Sequence, residues 1–117
     1  NYEIIKDFSY KIDLAEKKGV CDIIIDPGFG FGKSIEHNYQ ILNNIKLYTV
    51  LKKPILVGIS RKSMIYKLLK TDPSKALNGT TSLNTIALIN GANILRVHDV
   101  KEAKEVIKLY SFLKENV

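Results

Sequence analysis

The sequence predicts an α/β fold with three parallel strands. Amphipathic stretches with apolar residues every three or four positions alternate with short runs of β-branched residues, and the runs recur at the spacing of βαβ units. The runs are apolar at nearly every position, as expected of strands that are covered on both faces in a parallel sheet. This periodicity is compatible with an open sheet and with a barrel.

The boundaries of the elements follow from cap and breaker residues. Gly19 and Gly91 are expected C-caps, Pro54 stops a helix, and Asp72 before Pro73 is typical of an N-cap followed by the first helical position. The predicted elements, in chain order, are helix 3–18, strand 22–26, helix 38–52, strand 55–59, a short helix around 64–69, helix 72–90, strand 92–98 and a last helix from 99.

The last helix has the pattern of a capping box, with Asp99 at the N-cap and Glu102 three residues later. The chain starts at residue 1 without methionine, directly inside an amphipathic pattern, which suggests a piece of something longer. We therefore expect residues 1–117 to be part of a longer protein.

Composition narrows the function classes. The chain is 45% apolar and 26% charged, so it can bury a core, and its net charge of +6 comes from sixteen lysines and two arginines. Lysines spread over helix faces predict a solvated surface rather than a nucleic-acid interface. The one cysteine, Cys21, excludes disulfides and suits a buried thiol in a reducing cytoplasm. No apolar run reaches the roughly 18 residues of a membrane span.

The stretch DPGFGFGKS, residues 26–34, invites comparison with phosphate-binding loops. A P-loop needs four residues between its first glycine and the Gly-Lys-Ser end, but Gly28 and Gly32 enclose only three, and Pro27 has no N–H to offer. The dinucleotide fingerprint fails as well, since Lys33 stands where its third glycine belongs. The stretch is therefore not a phosphate cradle, and Asp26 is the more informative residue.

Charged and polar residues gather where the predicted strands end. They are Asp26 after the first strand, Ser60, Arg61 and Lys62 after the second, and Arg96 and His98 at the end of the third. Parallel strands direct their carboxyl ends to one rim, where ligands bind. Arg96 and His98 lie two apart on a strand and so leave the same face, which predicts an anion site. The alternative is an ion pair from Arg96 to Asp99.

Three blocks of the sequence resemble the carboxyl-terminal half of the bacterial dihydropteroate synthase family. They are IIIDPGFGFGKSIEHN, ILVGISRKSMI and ALNGTTSLNTIALINGANILRVHDV, in the order and approximate spacing of that family. The resemblance implies a TIM (β/α)8 barrel of about 250 residues. Residues 1–117 would then be the carboxyl-terminal part of a single pterin-binding barrel domain and would supply its last three strands. It also implies an enzyme that condenses 6-hydroxymethyl-7,8-dihydropterin pyrophosphate with para-aminobenzoate, giving dihydropteroate and pyrophosphate in folate biosynthesis.

The resemblance assigns the pterin and pyrophosphate contacts. Asp26 would bind the amino-pyrimidine edge of the pterin, because a carboxylate offers two acceptors in one plane. Lys62 would lie over the carbonyl side of the pterin and near the aminobenzoate position, and Gly58 and Gly30 would let the backbone approach the flat ring. Arg96 and His98 would hold the pyrophosphate. Arg96, His98 and Lys62 are the expected catalytic residues.

The same resemblance also assigns the residues that would bind para-aminobenzoate, the second substrate. Phe31 would line the position of its aromatic ring. Ser63, at the start of a short helix, would meet its carboxylate, with Ser60 as a weaker candidate.

Further expectations concern the cofactor, the partners, the location and the activity of the isolated chain. Mg²⁺ is the implied cofactor, with ligands expected outside these residues, and the implied partners are the two small-molecule substrates, with no nucleic acid and no membrane. A homodimer, a cytoplasmic location, action as a sulfonamide target and an inactive isolated chain are expected too. Two alternatives stay open: a pterin-binding methyltransferase barrel, and a nucleotide- or RNA-binding module.

Overall fold

The computed structural model describes residues 2–30 and 32–117. Within these residues two short strands form a parallel sheet, β1 at Leu56–Val57 and β2 at Ile94–Leu95, in the register Leu56 to Ile94 and Val57 to Leu95. The helices are α1 Tyr2–Lys17, α2 Ile35–Asn43, α3 Ser63–Tyr66, α4 Leu77–Ile89 and α5 Val100–Glu115, with 3₁₀ helices at Ile45–Leu51 and Pro73–Lys75. The predicted α/β class with parallel strands is confirmed.

The predicted first strand, 22–26, is wrong as a full strand. Ile25 forms an isolated parallel bridge with Ile55: its N–H donates to Pro54, and its carbonyl accepts the N–H of Leu56. Ile24 is 54% exposed. A hydrophobic pattern predicts where a strand can form. A full strand also needs a neighbouring segment whose backbone forms hydrogen bonds with it. The other two strands lie inside their predicted ranges and are shorter.

Two predicted helices are interrupted. The predicted helix 38–52 begins earlier, at Ile35, since the hydroxyl of Ser34 accepts the N–H of His37 as an N-cap, and it ends at Asn43 before a separate 3₁₀ helix. The predicted helix 72–90 starts as a 3₁₀ turn, capped by Asp72 as expected. It becomes α-helical only from Leu77.

Two further predictions about single residues are wrong. Cys21 is exposed rather than buried. Asp99 precedes α5 but forms no side-chain cap hydrogen bond, because both of its carboxylate oxygens are bound by Arg61. Pairing with a guanidinium thus replaces the predicted capping box.

The core lies between the sheet and the helices that cover one side of it. Ile55, Val57 and Ile59 are fully buried along β1 and its flanks. Ile41 and Ile45 pack in the same hydrophobic cluster from α2 and the following 3₁₀ helix. Burial of these apolar side chains holds β1 in place. It thereby also positions the loop that follows β1. None of the helices in the described part of the chain is both long and apolar enough to cross a membrane.

Candidate functional site at the carboxyl ends of the strands

Asp26 and Arg96 meet at the rim of the sheet. The Nη1 atom of Arg96 donates to Oδ2 of Asp26 at 3.0 Å, and Oδ1 of Asp26 accepts the N–H of Gly28 at 3.0 Å. The two residues are 70 positions apart in sequence, and the parallel arrangement brings them together. The predicted shared rim is confirmed, and the alternative ion pair from Arg96 to Asp99 is wrong.

Gly58 lies directly beneath the guanidinium of Arg96. A Cβ atom at Gly58 would stand 2.4 Å from Nη2 and 2.8 Å from Cζ of Arg96. The absence of a side chain at this position therefore lets the guanidinium rest on the backbone after β1. In this structure the neighbour that a side chain at Gly58 would displace belongs to the site itself.

Lys62, in the loop after β1, lies near the charges of Asp26 and Arg96. We call the space that these three side chains share the hollow. Its Nζ donates to the carbonyl of Phe29 at 2.8 Å, and its Cδ would lie 3.4 Å from a Cβ at Gly30. Desolvation lowers the pKa of Lys62, and the nearby charge of Arg96 lowers it further, while the carboxylate of Asp26 opposes the change. Three charged groups therefore share one partly desolvated space.

Ser60 and His98 form a second contact between the loops. The hydroxyl of Ser60 lies 2.7 Å from Nδ1 of His98 and also accepts the backbone N–H of His98 at 3.2 Å. Ser60 is buried and His98 is exposed, so the serine holds one edge of the ring while the other edge faces outward. Predicted only as a weak substrate contact, Ser60 is placed to orient the histidine.

The remaining predicted residues are Gly30, Phe31 and Ser63. Gly30 is buried with φ +111°, in the left-handed region that favours glycine. Ser63 begins α3 and is half-buried. Phe31 lies outside the described residues. Among the residues that the structure describes, no three histidines, cysteines or acidic residues are grouped to hold a metal ion.

Sequence reasoning missed one residue that shapes the loop. Asn38 is buried in α2, where its Oδ1 accepts the N–H of Gly30 at 2.8 Å and its Nδ2 donates to the carbonyl of Ser34. This side chain fastens the glycine-rich loop to α2. An asparagine on the buried face of an amphipathic helix is the signal that could have drawn attention to it.

The chain is similar in sequence to known proteins. Residues 2–98 match the family described as pterin binding enzyme. The chain belongs to the pterin-binding enzyme family. This pterin-binding family member is 42% identical over 109 residues to the dihydropteroate synthase of Escherichia coli strain K12, an alignment that covers 92% of this chain and 39% of the relative.

Solved structures give the same relationship. The crystal structure of Yersinia pestis dihydropteroate synthase superimposes with a TM-score of 0.92 at 37% identity, covering 97% of this chain and 55% of that chain. The Yersinia pestis enzyme with a pterine-sulfa conjugate superimposes with a TM-score of 0.94 at 36% identity, covering 99% of this chain and 47% of that chain. This pterin-binding family member therefore spans 39% of the Escherichia coli protein and 55% and 47% of the two Yersinia pestis chains.

Proposed function

We propose that this chain forms the carboxyl-terminal portion of a dihydropteroate synthase. In the complete enzyme it would supply the last strands of a (β/α)8 barrel, and that enzyme would join 6-hydroxymethyl-7,8-dihydropterin pyrophosphate to para-aminobenzoate. The observation that carries the proposal is the 3.0 Å contact between Arg96 and Asp26 at the carboxyl ends of parallel strands. This contact brings together the carboxylate to which we assign pterin binding and the cation to which we assign pyrophosphate binding.

Each charged group has a role in this reaction. Asp26 accepts hydrogen bonds from the N–H and NH₂ groups of the pterin edge. Arg96 and His98 bind the pyrophosphate, and Arg96 is the more important because its charge does not depend on pH. Lys62 lies against the pterin between them. When substrate enters, the Arg96 guanidinium exchanges part of its contact with Asp26 for phosphate oxygens.

The reaction separates charge, and the site stabilises the separated charges. The bond from the pterin methylene carbon to the pyrophosphate oxygen breaks, and the oxygen leaves with the electron pair. The aromatic amine then attacks that carbon and loses a proton. A positioned cation such as Arg96 contributes about 3 kcal/mol to such a step, by analogy with the loss of one oxyanion-hole donor.

The other substrate is assigned to the neighbouring positions. Ser63 and Phe31 would contact para-aminobenzoate, and sulfonamides would compete for the same place, while Gly30 would let the backbone approach the flat ring of the pterin. The second Yersinia pestis structure was solved with a pterine-sulfa conjugate, which supports sulfonamide binding by the complete enzyme. Mg²⁺ bound by residues outside this chain, a homodimer and a cytoplasmic location complete the proposal.

A chimera tests the proposal. The 109-residue segment of the Escherichia coli enzyme that matches this chain would be replaced by the corresponding segment of this chain. Production of the folded chimera is checked by circular dichroism, and formation of dihydropteroate is measured from the two substrates. We expect activity in the chimera and none in the isolated 117-residue chain.

Two variants of the chimera sharpen the test. Arg96→Ala is expected to lower kcat about 100-fold or more, whereas Asp26→Asn is expected to weaken pterin binding. Lys11→Gln, which removes only an exposed ion pair in α1, serves as the control and should change neither. A folded chimera without activity, or an Arg96→Ala variant with full activity, would contradict the proposal.

A further inference from the structure

Arg61 and Asp99 join the two loops that carry the candidate site. Nε of Arg61 donates to Oδ2 of Asp99 at 2.9 Å and Nη2 donates to Oδ1 at 3.0 Å, so the pair is bidentate. Nη1 of Arg61 donates to the carbonyl of Pro73 at 2.7 Å. The guanidinium is therefore engaged by protein acceptors along both of its ends.

The pair is directly connected in the chain to residues of the hollow. Arg61 lies between Ser60 and Lys62, and Asp99 directly follows His98. The contact between Ser60 and His98, at 2.7 Å, spans the same gap between the loops. A change in the distance between Arg61 and Asp99 would therefore also move their immediate neighbours Lys62 and His98.

The backbone at Arg61 gives independent support. Its φ is +54°, in the left-handed region, which disfavours residues with a Cβ and persists only when the surrounding structure compensates for it. Its N–H donates to the buried hydroxyl of Thr80, which in turn donates to the carbonyl of Ala76. Glycine would adopt this conformation more readily. The contacts of the arginine side chain must therefore compensate for the unfavourable backbone conformation.

We propose that Arg61 and Asp99 are positioning residues for the reaction set out under "Proposed function", on which this inference rests. Their ion pair fixes the distance between the loop after β1 and the loop after β2. It thereby sets the places of Lys62 and His98 without contacting substrate.

Kinetics of the chimera separate positioning from simple stabilisation. The variants are Arg61→Gln, Asp99→Asn and the double variant, assayed per folded molecule well below the unfolding temperature. Each single change is expected to lower kcat about tenfold to 100-fold, since small misplacements of catalytic groups have effects of this size. Because the two residues act through one contact, the double variant should lose no more than the worse single variant.

A matched control comes from another ion pair between distant segments. Lys53 binds Glu16 at 3.1 Å, and its side chain is 24% exposed against 22% for Arg61. It precedes β1 and lies away from the rim. Lys53→Gln should therefore leave kcat unchanged even where it lowers the unfolding temperature.

A second measurement does not depend on catalysis. The ring ¹⁵N signals of His98 in the 117-residue chain report its contact with Ser60, and the signals of His37, the other histidine, serve as an internal reference. We expect Arg61→Gln to shift the Nδ1 signal of His98 towards that of a free ring and to leave His37 unchanged.

The outcomes distinguish the two proposals. An inactive but folded chimera would count against the proposed function, while the shift of the His98 signal would still decide the positioning role. Unchanged His98 signals in Arg61→Gln and Asp99→Asn, or an unchanged kcat per folded molecule in an active chimera, would overturn the inference.

Discussion

Replacing Gly58 with alanine puts a methyl group where the guanidinium of Arg96 now lies. The new Cβ would be 2.4 Å from Nη2, 2.8 Å from Cζ and 2.9 Å from Nε of Arg96. Carbon atoms in contact favour separations of about 3.5 Å, so the guanidinium must move by about 1 Å. The backbone at Gly58 is outside the left-handed region and accepts alanine without strain.

The movement removes a defined contact. Shifting the guanidinium by about 1 Å takes the 3.0 Å bond from Arg96 to Asp26 beyond hydrogen-bonding distance. A displacement of this size at a catalytic group costs up to about 100-fold in rate, which corresponds to about 2.7 kcal/mol of activation free energy. Because the Arg96 side chain is 55% exposed, the free energy of unfolding should change by less than about 0.5 kcal/mol.

The assay is dihydropteroate formation by the chimera, with Gly58→Ala made alone and together with Arg96→Ala. In the Arg96→Ala background the obstructing atoms are gone, so the extra methyl group should cost nothing further. Full activity of Gly58→Ala would refute the reasoning. An equal loss in both backgrounds would show that the methyl group acts on something other than Arg96.

Three further predictions concern stability and ionisation. Ile59→Ala should lower the free energy of unfolding in urea by about 2–5 kcal/mol, because Ile59 is fully buried, while Leu109→Ala, at a side chain 73% exposed, should change it little. Asn38→Ala should cost about 1–3 kcal/mol and speed amide exchange at Gly30, whose N–H loses its acceptor. In a ¹⁵N NMR titration, the Lys62 ammonium should show a pKa below its ordinary 10.5, since burial disfavours its charge. The folded chain then releases this proton at lower pH than the unfolded chain, so stability should rise with pH between the two pKa values, and an ordinary pKa would contradict the argument.

Local patterns were enough to place most helices and the two paired strands. The apolar periodicity of α1 and α5, the C-cap Gly19 and the N-cap Asp72 are short-range signals, and they lie where predicted. The predicted helix 38–52 failed at Asn44, where the N–H bonds back to the carbonyls of Gln40 and Ile41 and the chain continues as a 3₁₀ helix. Propensity does not register such a change, because both helix types use the same residues.

The sequence by itself determined the α/β class, the parallel order of the strands and the identity of the charged residues at the rim, because these follow from periodicity and from where each strand ends. Only the tertiary structure decided the partners of those charges. Arg96 pairs with Asp26, Arg61 pairs with Asp99, and Asn38 holds the glycine-rich loop. A carboxylate binds whichever guanidinium the folded backbone brings within about 3 Å, and contacts between residues so far apart in the chain leave no local pattern from which that choice could be read.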